Sequence, residues 1–131
     1  MRFLIVEDDL GSRRLLEAIS RRYGAANVAV NGSEAVEAFQ LAWQEQKPYD
    51  VIFLDIMMPE KDGLEALTEI RAHEKELGIA PGKEVKVIMT TALEDPRTVV
   101  KAYYDGEATG YLVKPIKAEK IAEELRKLGM L

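Results

Sequence analysis

Five short runs suited to buried strands recur along this chain, and a segment of helical period follows each of them. The runs cover residues 3–6, 27–30, 50–54, 85–89 and 111–113. Phe3-Leu4-Ile5-Val6 and Val51-Ile52-Phe53-Leu54 are apolar without a break, so they lack the alternation of a strand with one wet face. Between the runs, residues 12–23 put Leu15, Leu16 and Ile19 on one helical face, with Gly24 as the stop. Asn31-Gly32 turns into a helix capped by Ser33, which buries Val36, Phe39, Ala42 and Trp43. A third helix, from residue 64 to about 76, turns Leu64, Leu67 and Ile70 inward. Asp95-Pro96 suits the cap and first turn of a fourth helix, and residues 118–128 form the last, ended by Gly129. Strand and helix alternating five times predict an α/β fold, a parallel sheet covered by helices on both faces. In such sheets ligands bind beyond the carboxyl ends of the strands.

Those ends are where the chain places its unusual polar groups. Glu7-Asp8-Asp9 closes the first run, Asp55 the third, Thr90-Thr91 the fourth and Lys114 the fifth. A carboxylate against a core is costly unless something pairs with it. Two carboxylates about 4 Å apart repel by roughly 4 kcal/mol at an effective dielectric near 20. Three together need a cation, or one must keep its proton. Hard oxygen ligands in a half-open site suit Mg²⁺, which leaves room for a phosphate oxygen. Asp55 could then attack a phosphoryl group, with Lys114 and the Thr91 hydroxyl neutralising its oxygens. Taken singly, each residue has a plainer reading. Acids are favoured at a helix N-terminus, a loop lysine is usually solvated, and a strand-end threonine commonly satisfies nearby backbone.

Composition narrows the class. At 131 residues the chain is expected to form one domain over 1–131, and a net charge of −5 argues against a nucleic-acid surface. No cysteine is present, so disulfides and thiolate chemistry are excluded. The first residues enter a strand directly, and no apolar stretch approaches about 20 residues. A cytoplasmic protein with no membrane insertion is expected.

Together, the segments FLIVEDD from Phe3, DVIFLDIMMP from Asp50, VIMTTA from Val87 and GYLVKP from Gly110 resemble the receiver domains of two-component response regulators. The resemblance spans essentially the whole chain, in order and near the family's spacing. Its tail, Leu128-Gly129-Met130, is similar to the end of stand-alone chemotaxis regulators. The resemblance implies a flavodoxin-like (βα)5 fold with strand order 2-1-3-4-5. It implies that Asp55 is the phosphoacceptor and that Mg²⁺, with Mn²⁺ able to substitute, is held by Asp8, Asp55, the backbone carbonyl of Met57 and, through water, Glu7. Asp9 falls outside the acidic pair. Thr91 matches the switch hydroxyl, Lys114 the phosphate-binding lysine followed by a cis proline bond, and Tyr111 the aromatic that turns inward on activation.

The resemblance further implies a donor that is a sensor histidine kinase or a histidine phosphotransfer protein, and a switch that assists its own phosphorylation and dephosphorylation. No DNA-binding or catalytic segment follows Leu131. Output is therefore expected through contact with a downstream protein, by a monomer or a phosphorylation-dependent dimer, unless the chain is cut from a longer regulator. Residues 72–84 are several residues longer than usual, at the sheet end away from the acids, and Glu107 stands where the family commonly has glycine. The stretch from Thr91 to Lys114 is about one residue longer than is usual in the family. The positions two beyond the acceptor and two beyond the threonine are Met57 and Leu93, neither able to orient water, so a long-lived phosphorylated state is expected. Two rivals are a binding module that keeps the fold without phosphorylation and a haloacid-dehalogenase-type hydrolase. The full acid, Thr and Lys set speaks against the first, and Met57 stands where the second normally has its other acid.

Overall fold

The computed structural model describes residues 1–92 and 108–131. Its strands are β1 (Arg2–Val6), β2 (Ala25–Ala29), β3 (Val51–Asp55), β4 (Lys86–Thr91) and β5 (Gly110–Val113). The described helices are α1 (Leu10–Ser20), α2 (Gly32–Gln44), α3 (Gly63–Glu76) and α4 (Ala118–Lys127). The helix expected from Asp95, together with Leu93 and Glu107, lies outside the described residues. All strands are parallel, in the order β2-β1-β3-β4-β5 implied by the resemblance.

Strand alternation splits the core in two. Leu4, Val6, Ile52, Leu54, Val87 and Met89 face α2 and α3, meeting Phe39, Ala42, Leu67 and Ile70. Phe3, Ile5, Val51, Phe53, Ile88 and Leu112 face α1 and α4, meeting Leu16, Ile19, Ile121 and Leu125. The Phe3 and Phe53 rings stack at 6.0 Å between centroids. Every residue of β3 is buried, as a central parallel strand requires.

Several local expectations shift. Helix α1 begins at Leu10, because the Asp9 carboxylate caps it by accepting from the Ser12 N–H at 2.8 Å. It ends at Ser20, so Gly24 is not its stop. A side chain on Gly24 would collide with the Met1 carbonyl, its β-carbon falling 1.9 Å from that oxygen. Asn31, not Ser33, caps α2, accepting from the Glu34 N–H at 2.9 Å. Leu15 is 46% exposed, and Trp43 is only partly buried. Strand β4 runs on through Thr91. Gly129 does end the last helix, with φ at 73°.

The long connection from α3 to β4 is anchored by a buried ion pair. Arg71 donates to Glu74 at 2.7 Å and to the Val85 carbonyl at 2.9 Å, while Glu74 accepts from the Val85 N–H at 2.7 Å. It sits at the amino end of β4, the far end of the sheet from the acids. No helix among the described residues is long and apolar enough to cross a membrane.

Candidate functional site

Glu7 follows β1 directly and is fully buried; its N–H still pairs with the Ala29 carbonyl at 3.1 Å. Asp8 is exposed beside it. The Arg13 guanidinium, one turn into α1, donates to the Glu7 carbonyl at 3.0 Å and the Asp8 carbonyl at 3.3 Å, which fixes the acidic turn. Asp9 turns away to its capping role. The Ser12 N–H and hydroxyl hold its carboxyl below the usual range.

Asp55 ends β3 and is 3% exposed. One of its oxygens accepts from the Met57 N–H at 3.2 Å, the other from Lys114 Nζ at 3.3 Å. Its backbone is pressed by α3: a β-carbon on Gly63 would lie 2.2 Å from the Asp55 carbonyl oxygen. Only glycine lets the N-terminus of α3 approach this closely.

Lys114 enters from β5. Its backbone N–H bonds the Thr91 carbonyl at 2.7 Å, and its bond to Pro115 is cis. Its ammonium reaches both Glu7 carboxylate oxygens at 2.9 Å as well as Asp55. Burial works against the ammonium, but Glu7 and Asp55 outweigh it, and the lysine pKa rises above its ordinary value. For Glu7, burial and then the neighbouring Asp55 outweigh the lysine and push its pKa up to about 7. The ammonium keeps its proton; the strain of crowded charge appears in Glu7.

Glu7, Asp8 and Asp55 offer carboxylate oxygens within 4.8 Å of one another, a set that could hold a metal ion. Thr91 is buried at the end of β4, opposite Val113 in register. Tyr111 is 40% exposed on β5, and the Met57 side chain is 67% exposed at the rim. Glu7, Asp8, Asp55 and Lys114 thus meet directly, while Thr91 and Tyr111 occupy the neighbouring strands. Arg13 and Gly63 escaped the sequence reading. The glycine's only signal was Asp62-Gly63 opening a helix.

A buried acid gripped by a lysine and flanked by two more acids, at the carboxyl end of a central parallel strand, agrees with the comparisons. Residues 3–126 match the model of the response regulator receiver domain. The chain belongs to that family. It is 36% identical over 129 residues to the chemotaxis protein CheY of Listeria monocytogenes, covering 97% of both chains. Among solved structures, a chain in the CheX–CheY–beryllofluoride–magnesium complex of Borrelia burgdorferi superposes with a TM-score of 0.83 at 26% identity, over 98% of this chain and 89% of that one. A chain in the complex of the Saccharomyces cerevisiae phosphotransfer protein Ypd1 with the receiver domain of Ssk1 gives 0.83 at 28% identity, over 98% and 88%. This receiver domain is a phosphoacceptor signalling switch of the two-component type.

Proposed function

We propose that Asp55 is the residue that accepts the phosphoryl group, and that the whole chain works as one receiver unit in the cytoplasm. The supporting observation is that Asp55 closes the central strand β3 with one oxygen held by the Met57 N–H and the other by Lys114, whereas Glu7, the other buried acid, has both oxygens gripped by Lys114 and is pushed toward its neutral form. A carboxylate oxygen of Asp55 attacks phosphorus. The P–N bond to a donor's phosphohistidine breaks, its electron pair leaves with the imidazole, and an acyl phosphate results. The histidine belongs to a sensor kinase or a phosphotransfer protein, in line with the kind of partner present in the Ypd1–Ssk1 complex.

The donor set fits a hard divalent cation, because three carboxylates share one ammonium and the buried Glu7 already resists ionisation. Asp8, Asp55, the Met57 carbonyl and, through water, Glu7 would hold Mg²⁺ or Mn²⁺, which supplies positive charge against the transferring phosphoryl oxygens. Lys114 then turns from Glu7 and Asp55 to a phosphoryl oxygen, and the Thr91 hydroxyl donates to another. Tyr111 moves inward from its exposed position as Thr91 is drawn in. The change of surface near β5 is what a downstream protein reads, since a modification shifts an equilibrium only through contacts that differ between states. Hydrolysis reverses the chemistry, water attacking phosphorus and Asp55 leaving as carboxylate. Met57 cannot orient that water, so the phosphorylated state persists.

Incubation with Mg²⁺ and acetyl phosphate should add one phosphate mass, and Asp55→Asn should abolish it. No increment from acetyl phosphate or any histidine kinase would defeat the proposal.

A further inference from the structure

The register shows a fourth polar side chain in the row that carries the site. Phe3 and Ile5, Val51 and Phe53, Ile88, and Leu112 all point to the α1 and α4 face. By alternation Glu7, Asp55, Thr90 and Lys114 point the same way, whereas Thr91 follows Val87 and Met89 to the other face. The strand order then reads Glu7 on β1, Asp55 on β3, Thr90 on β4 and Lys114 after β5, with Asp55 and Thr90 direct register partners. To reach Asp55 and Glu7, the lysine must cross the end of β4 where Thr90 lies. Thr90 is fully buried, and its hydroxyl has no hydrogen-bond partner among the described residues. A buried hydroxyl left unpaired is destabilising, while valine would fill the same space without that penalty.

The idle hydroxyl gains a task once the acceptor is occupied. In the resting state the three ammonium protons of Lys114 serve two Glu7 oxygens and one Asp55 oxygen. When Lys114 turns to the phosphoryl group, that Asp55 oxygen, bonded to phosphorus or facing the cation, keeps a lone pair that has lost its protein donor inside a buried site. Adjacent strands lie about 4.8 Å apart, so a rotation about the Thr90 side-chain bond brings its hydroxyl within reach. We propose that Thr90 is a positioning residue for the acceptor: in the phosphorylated state its hydroxyl donates to the Asp55 oxygen that Lys114 gives up. This rests on Asp55 being the acceptor.

Beryllofluoride affinity in the presence of Mg²⁺, read by fluorine NMR, tests it alongside urea stability without Mg²⁺. Thr90→Val should be as stable as the parent or more so, yet bind beryllofluoride about tenfold more weakly. Thr90→Ser should bind like the parent and Thr90→Ala like the valine variant, a pair that also serves if valine does not fold. Valine binding within about twofold of the parent, or serine failing as badly as alanine, would overturn the role for Thr90 alone. Failure of the parent itself to bind would instead overturn the acceptor reading, and this inference with it.

Discussion

Replacing Asp55 by asparagine should make the protein more stable, although the substitution removes a partner from a buried lysine. The magnitude follows from the site. The carboxylates of Glu7, Asp8 and Asp55 approach within 4.8 Å, where two full charges repel by about 3.5 kcal/mol at an effective dielectric near 20. Asp55 feels two such repulsions. Against them stands one attraction, to Lys114 at 3.3 Å, worth about 5 kcal/mol on the same scale. The balance is roughly 2 kcal/mol unfavourable to the Asp55 charge, reduced somewhat because Asp8 is exposed and screened. Asparagine keeps an oxygen for the Met57 N–H and gives up the charge together with the hydrogen bond from Lys114, whose ammonium stays paired with both Glu7 oxygens. Urea unfolding near pH 8 with a chelator present should therefore show a midpoint raised by about 1 M. Adding Mg²⁺ should stabilise the parent and narrow or reverse that gap, because a ligand of the folded state stabilises by mass action. An asparagine variant less stable than the parent without Mg²⁺, or one that gains as much from Mg²⁺, would refute the charge-crowding argument.

Glu7 makes stability depend on pH with a sign opposite to that of an ordinary paired carboxylate. Its folded pKa of about 7 exceeds its unfolded value of 4.5, so the folded state holds the extra proton between them. The stability tied to this proton is full below about pH 4.5 and falls by up to about 3 kcal/mol as pH rises to 7, and Glu7→Gln should flatten that slope in metal-free urea titrations. Glu74→Ala should cost about 3–5 kcal/mol by taking the Glu74 carboxylate away from Arg71 and from the Val85 N–H, while leaving the rate of phosphate incorporation by the folded fraction unchanged. Met57→Asn should shorten the lifetime of the phosphorylated protein severalfold in a label-loss assay; an unchanged lifetime would mean that water orientation at this position does not limit hydrolysis.

The sheet and the acid–lysine cluster were legible because their signals are local. Unbroken apolar runs demand burial on both faces, and an acid closing such a run is anomalous without a partner. What escaped needed contacts distant in sequence. Gly24 reads as a helix stop, yet its lack of a side chain serves the passing Met1 carbonyl. Asn31 and Ser33 are both good caps, and only backbone direction selects the first. Arg13 looks like any exposed helix arginine until α1 turns it back on the acidic loop. Thr90 and Thr91 are chemically alike, and register alone sends them to opposite faces. The buried Arg71–Glu74 pair has the spacing of a common surface pair, and its role depends on where β4 begins.

The central claim is that one carboxylate, Asp55, carries the phosphoryl group. Borohydride reduction of the phosphorylated protein cleaves an aspartyl phosphate and leaves homoserine at the modified position, which peptide mass spectrometry locates. Homoserine at position 55 alone is the expected result. Homoserine at Asp8 or another acid, or none in a protein that has gained phosphate mass, would contradict it.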